Sequence, residues 1–384
     1  MSPVLKPARL SDGLYKVAGY FLPRLMFLQT QQGPQTHWGD VAVALQDFPE
    51  ELLDLSSGAF WQEWMVRWSR LGDDYSAAAS ASATPAGARR AWRSAAACYH
   101  WAEFMYFDDA TAKTRLRQSV KACFLHGVDR DALNLTTGEL QHDGVCIPYY
   151  LALPQGYAKG DAPLPCVVLS NGLDSVTEVE VYAFAEQFLE RGMAVFMFDG
   201  PGQGINVGVH PVPLQFEQVA EHIVTQLHID PRIDSRHLGF FGVSFGGYLA
   251  LRVARHLSAH FKGVVNLSGG PAIAPFAGLP RRLKEDFRFA FMCARDYEMQ
   301  RRFDMLAIDD AFPLQTDLLS VHGARDDIFP LAPLAGLQQV QGARHELIVY
   351  PGEAHVCLNY INQYTVHIAD WMAQRLVAGT ELAA

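Results

Sequence analysis

Residues 237–254, HLGFFGVSFGGYLALRVA, decide the fold. The stretch reads as a short strand, His237 to Phe241, then a sharp turn, then a helix from Tyr248 to Leu257. Between them lies Gly242-Val243-Ser244-Phe245-Gly246-Gly247, a G-x-S-x-G. Such a turn is so tight that a side chain at either flanking glycine would collide with neighbouring backbone. The serine is left at the apex, in a strained conformation, with its hydroxyl exposed at the positive end of the following helix. A glycine-rich turn with an incidental serine is the plainer reading. The apolar strand before it and the helical pattern after it favour the functional one.

Working outward, strands and helices alternate after residue 127. Val145–Leu153, Cys166–Ser170, Ala194–Asp199, Gly263–Leu267, Leu318–His322 and Glu346–Tyr350 read as further strands. Helical patterns near Val179–Glu190 and Phe216–Leu227 separate them. Short apolar strands spaced by helices predict an α/β fold, with a mostly parallel sheet covered by helices on both faces. Chemistry collects at the carboxyl ends of such strands. The segment at about 269–313 is too long for a simple connection and reads as a helical, amphipathic, lid-like insertion.

Before residue 127 the pattern is helical and aromatic. Trp61, Trp64 and Trp68 share one helix face. They read as core packing between helices, with a substrate-facing aromatic wall as the alternative. The Ser/Ala stretch Ser76–Ala88 is either a connector or a weak helix end. Helical segments follow at about Ala88–Phe107 and Ala110–Phe124. The expected division is a helical N-terminal domain over 1–127 and a catalytic domain over 128–384.

A serine hydroxyl is a poor nucleophile at neutral pH and needs a base, which in turn needs an orienting acid. On a strand–turn–helix of this kind the chain order is serine, acid, histidine. His322-Gly323-Ala324-Arg325-Asp326-Asp327-Ile328-Phe329-Pro330 follows a strand and offers two adjacent carboxylates. The acid of such a segment sits three residues after the glycine and four before the proline. That selects Asp326, with Asp327 in reserve as a solvent-facing or helix-capping residue. Pro351-Gly352-Glu353-Ala354-His355 follows the last strand and supplies His355 as the base. His322 is the nearest competitor, but it precedes the acid. The oxyanion of a tetrahedral intermediate needs two preorganised donors. The expected pair is the backbone N–H of Phe245 and that of Leu173, in the loop Asn171-Gly172-Leu173-Asp174. Asp199-Gly200-Pro201-Gly202-Gln203-Gly204 lacks both P-loop and dinucleotide spacing, and reads as a loop at the mouth of the site.

Composition closes off other classes. The chain has 384 residues, 49% of them hydrophobic and 19% charged, ample for a large core and unlike a disordered chain. A net charge of −10 argues against nucleic acid as a partner. No apolar run is long enough to span a membrane. Lys16, Pro23 and Arg24 interrupt the apolar N-terminal stretch, so a signal peptide is not expected. Six scattered cysteines show no C-x-x-C, so neither a disulfide framework nor a metal site is indicated. A soluble, cytoplasmic protein is expected.

Taken together, CVVLSNGLDSVTE, VFMFDGPGQG, FGVSFGGY, HGARDDIFP and GEAH, with ARRAWRSAAACYHWAEF upstream, resemble the α/β-hydrolase superfamily. Within it the chain resembles the group of 2,6-dihydroxypseudooxynicotine hydrolase, the fungal melanin polyketide chain-shortening hydrolases and the fermentation–respiration-switch-like esterases. That resemblance implies an N-terminal helical cap over the active site, a homodimer, no cofactor, and an aromatic or polyketide-like carbonyl substrate. The expected activity is hydrolysis through an acyl-enzyme, at a C–C bond beside a carbonyl or at an ester or thioester. Acyl transfer or lactonisation on the same triad is the alternative. A non-catalytic receptor on a hydrolase fold is the remote one.

Overall fold

A computed structural model of the chain describes residues 10–19, 21–27, 29–30, 33–130, 133–309 and 314–377. The first nine residues of the apolar N-terminal stretch and the last four of the expected insertion lie outside these. The chain divides into two compact units, Met1–Val128 and Asp129–Ala384.

The first unit carries helices α1 (Asp12–Ala18), α2 (Phe21–Phe27), α3 (Trp38–Leu45), α4 (Gly58–Ser80), α5 (Pro85–Glu103) and α6 (Ala110–Gly127). A small antiparallel pair, β1 (Gln29–Thr30) and β2 (Gly33–Pro34), precedes α3. The tryptophan stripe of α4 is core: Trp61, Trp64 and Trp68 are fully buried and step along the helix at ring spacings of 5.9 Å. Two of the three polar edges are served, since Trp64 Nε1 donates to the Trp101 carbonyl at 2.6 Å and Trp61 Nε1 to that of Leu55 at 2.8 Å, whereas the buried Trp68 Nε1 meets no acceptor among the described residues. Truncating one of these rings to alanine would cost about 3–5 kcal/mol. The Ser/Ala stretch is mostly helix. Alanine is the best helix former, so α4 runs on to Ser80. The break is only residues 81–84, after which Thr84 caps α5 by accepting from the Gly87 N–H at 3.1 Å and Pro85 takes the first turn.

At the end of α5 the chain buries a charged cluster. The carboxylate of Glu103 accepts from Lys113 Nζ and, at 3.1 Å, from Arg117 Nε, both on α6. Its other oxygen meets His100 Nδ1 at 2.9 Å. All four side chains are buried.

The second unit holds an eight-stranded sheet. Its strands are β3 (Leu135–His142), β4 (Val145–Ala152), β5 (Leu164–Ser170), β6 (Ala194–Phe198), β7 (Ile233–Val243), β8 (Phe261–Leu267), β9 (Asp317–Gly323) and β10 (His345–Tyr350). The order is β10-β9-β8-β7-β5-β6-β4-β3. All neighbours are parallel except β3–β4 and β4–β6. The inner parallel strands β5 to β9 are buried on both faces over their apolar runs, whereas the edge strand β10 is mostly half-exposed. Helices α7 (Tyr182–Leu189), α8 (Glu217–Ile229), α9 (Phe245–His256), α10 (Arg281–Ala290), α11 (Asp296–Leu306), α12 (Leu331–Gln341) and α13 (Ile361–Leu376) complete the unit. Alternation along β7 divides them: Phe241 packs on Phe184 and Phe188 of α7, while Phe240 belongs with the core that includes α8 and α9. This is an α/β-hydrolase fold with a helical region N-terminal to it.

The edge strand β3 escapes the sequence pattern, because LTTGELQH buries only Leu135 and Leu140 and contains Gly138. The turn to β4 is Asp143-Gly144, both at positive φ (48° and 78°), the hairpin pair that a right-twisted two-strand ribbon prefers. The insertion is helical, with α10 and α11. Its aromatics pack on one another: Phe303 meets Phe276 at 5.1 Å and Phe287 at 4.8 Å.

Candidate active site

Because β7, β9 and β10 are parallel members of one sheet, the loops that follow them emerge at one edge. Ser244 follows β7, with φ 59° and ψ −120° as the N-cap of α9. A left-handed serine is costly, and its surroundings hold it there. Its N–H donates to the Leu267 carbonyl at 2.8 Å. A Cβ on Gly242 would lie 1.9 Å from the Gly246 carbonyl, and one on Gly246 would lie 2.4 Å from that of Asn171. No other residue fits either place, which is why the serine is flanked by glycines.

His355, in the turn after β10, bridges the two other candidates. Its Nε2 lies 2.7 Å from Ser244 Oγ and its Nδ1 2.7 Å from Asp326 Oδ2. The other Asp326 oxygen accepts the N–H groups of Ile328 and Phe329, both at 2.9 Å. Burial pushes the Asp326 carboxyl up, but the His355 charge and the hydrogen bonds outweigh it and hold the group below its ordinary value. Asp327 points to solvent. His322 does not reach the serine: its Nε2–H donates to the Phe329 carbonyl at 2.8 Å. Burial lowers its pKa and keeps it neutral at pH 7. Phe329 stacks on the His355 ring at 6.0 Å.

The loop after β5 passes against the serine, since a Cβ on Gly172 would lie 3.4 Å from Ser244 Cβ. Leu173, next in that loop, is buried. Phe245 is the first residue of α9, so its N–H belongs to the set a helix leaves without intrahelical acceptors. The insertion reaches the same corner through Phe287 and Phe291, whose rings meet Phe245 edge-on at 6.0 and 5.9 Å.

Asp199 and its glycine-rich loop form a hub beneath that loop, which sequence reading placed only at the mouth. Asp199 Oδ1 accepts from Asn171 Nδ2 and Thr177 Oγ1, both at 2.6 Å, and Oδ2 from the Ile205 N–H at 3.0 Å. Gln203 Nε2 donates to the Asn171 carbonyl at 2.8 Å. A carboxylate ending a fully buried strand (AVFMFD) is the signal that could have found this hub, because a buried charge needs donors. Among the described residues no three His, Cys, Asp or Glu side chains gather to hold a metal ion. No helix among them is long and apolar enough to cross a membrane.

A family model described as Esterase FrsA-like matches residues 41–281, more than half of the chain. A second, for the prolyl oligopeptidase family, matches residues 214–378. The 2,6-dihydropseudooxynicotine hydrolase of Paenarthrobacter nicotinovorans is 26% identical over 83% of this chain and 86% of its own length. The alpha/beta hydrolase pydG of Acremonium sp is 30% identical over 50% of this chain and 47% of its own. Esterase FrsA of Citrobacter koseri is 26% identical over 58% of this chain and 53% of its own, so the match spans about half of each of these two relatives. Among solved structures, that of 2,6-dihydroxy-pseudo-oxynicotine hydrolase superposes with a TM-score of 0.76 at 23% identity, covering 90% of this chain and 95% of that one.

Proposed function

Since the chain belongs to the FrsA-like esterase family, and is a hydrolytic enzyme on an α/β-hydrolase fold, we propose that Ser244, His355 and Asp326 are its catalytic triad. The observation that carries this reading is the unbroken relay from Ser244 Oγ through both nitrogens of His355 to Asp326, each step 2.7 Å. Ser244 Oγ attacks a substrate carbonyl while His355 Nε2 takes its proton. Asp326 fixes the tautomer and stabilises the imidazolium. The N–H groups of Phe245 and Leu173 receive the oxyanion. The leaving group departs with the proton from His355. Water then attacks the acyl-enzyme by the same relay, releasing a carboxylic acid and restoring Ser244.

The substrate is a small carbonyl compound. Similarity over most of both chains to a hydrolase named for a pseudooxynicotine supports an aryl or polyketide-like ketone. Cleavage is then of a C–C bond, and the departing carbanion is stabilised as an enolate or by an electron-poor ring. With an ester the leaving group is an alkoxide and that requirement disappears.

Ser244→Ala tests the reading. It should stay folded, lose reaction with a fluorophosphonate probe, and lose turnover by about 10⁴-fold or more. Retention of a tenth of wild-type turnover sinks it.

A further inference from the structure

We propose that Ser268 and Tyr364 are positioning residues, holding the backbone that follows His355 so that its imidazole stays in register with Ser244. The inference rests on the triad reading above and adds to it what keeps the base in place.

The turn after His355 is strained. Val356 has φ 68° and ψ 0°, and Cys357 has φ 51° and ψ 46°. Two successive non-glycine residues in the left-handed region are uncommon, and a β-branched one is a genuine outlier. Such a conformation persists only where the surroundings over-determine it. Here both polar groups of the Val356 backbone are tied. Its N–H donates to Ser268 Oγ at 3.0 Å, and its carbonyl accepts from the Tyr364 hydroxyl at 3.0 Å. Both side chains are fully buried. Burial also raises the Tyr364 phenol well above its ordinary value, so it remains a neutral donor.

Ser268 is itself built into the site. It is left-handed, with φ 53°, and its N–H donates to the Val321 carbonyl of β9 at 2.8 Å. The residue before it, Leu267, accepts the Ser244 N–H at 2.8 Å. One dipeptide at the end of β8 thus touches the backbone of the nucleophile, the strand that leads to the acid, and the loop of the base. Released from Ser268 and Tyr364, Val356 would relax to negative φ. The adjoining His355 ring would swing, and a misplacement of about 1 Å is worth roughly 10²-fold in rate. The far end of the same turn has a separate clamp, Asn359 Nδ2 donating to Glu353 Oε1 at 2.9 Å, which does not touch Val356.

The test uses the full-length enzyme with Ser268→Gly, Tyr364→Phe and, as a structural control, Asn359→Ala. Glycine accepts positive φ without cost and only the small hydroxymethyl group is lost, so Ser268→Gly should fold. Tyr364→Phe keeps the ring and removes the same hold from the other side. Both should lower kcat about 10- to 100-fold with KM within about twofold, and slow fluorophosphonate labelling in step. Asn359→Ala should leave kcat unchanged. Wild-type kcat and labelling rate in both variants would overturn the inference, and so would an equal kcat loss in the control at matched loss of melting temperature. A wild-type enzyme that fails to label would instead overturn the triad reading itself.

Discussion

Asp326 and Asp327 are neighbours with the same side chain, and the fold treats them oppositely. Asp326 is buried between the His355 imidazole and two backbone N–H groups, whereas Asp327 faces water. Asp326→Asn keeps the shape but presents an amide to Nδ1 and favours the wrong tautomer, so turnover should fall on the order of 10⁴-fold. Asp327→Asn should stay within about threefold of wild type, since an exposed carboxylate without a contact to the base has little to lose. Steady-state kcat on one substrate ranks the two, and the reverse order would identify the wrong carboxylate. Spacing to Gly323 and Pro330 selects Asp326 in the sequence as the candidate acid, and in the fold it is the one of the two that meets His355. The place of His322 was not legible there, because only the folded β9 shows its Nε2–H spent on the Phe329 carbonyl.

Among the elements, the α5–α6 pair depends on one buried carboxylate. Burial pushes the Glu103 carboxyl up, but Arg117, Lys113 and His100 outweigh it and hold the group far below its ordinary value of 4.5. A carboxyl depressed on folding contributes stability above its unfolded pKa and loses that contribution as pH falls below it. Glu103→Gln, which leaves two buried cations without their carboxylate, should cost about 3–5 kcal/mol at neutral pH. The gap in melting temperature between variant and wild type should narrow once the pH drops below about 4.5. A gap that stays constant from pH 7 to pH 3 would refute this account. The sequence showed basic residues on α6 but not that Lys113 and Arg117 turn inward, since a helix of mean burial carries no mark of its partner. The β3–β4 hairpin was legible in principle from Asp143-Gly144, but edge position and Gly138 blurred the strand beside it.

For the whole molecule, the proposed triad works through protein groups alone, so EDTA should change neither turnover nor melting temperature. Loss of activity restored by zinc or manganese would contradict a triad that needs only protein groups. Likeness to a pseudooxynicotine hydrolase along most of both chains carries the substrate prediction: a bulky aromatic β-diketone or aryl ester should exceed p-nitrophenyl acetate in kcat/KM. A tenfold preference for the acetate would return the enzyme to a general esterase. The aromatics of the insertion lend this prediction little, since Phe276, Phe287 and Phe303 are occupied in packing one another.

By itself the sequence determined the alternation of strands and helices, the glycine-flanked serine and the candidate acid and histidine that follow it along the chain. These are written in periods of a few residues and in steric demands that a glycine or proline answers locally. Only the tertiary structure decided that positions 111 and 29 residues from His355 both come within 2.7 Å of its ring. Parallel strand register does that, by bringing three distant loops to one sheet edge. It also decided that the tryptophan stripe is core, that Asp199 anchors the loop beside the serine, and that Ser268 and Tyr364 hold a strained Val356. Those roles lie in packing and in hydrogen bonds set by the folded chain, many between residues far apart in sequence, and no local pattern records such a partner.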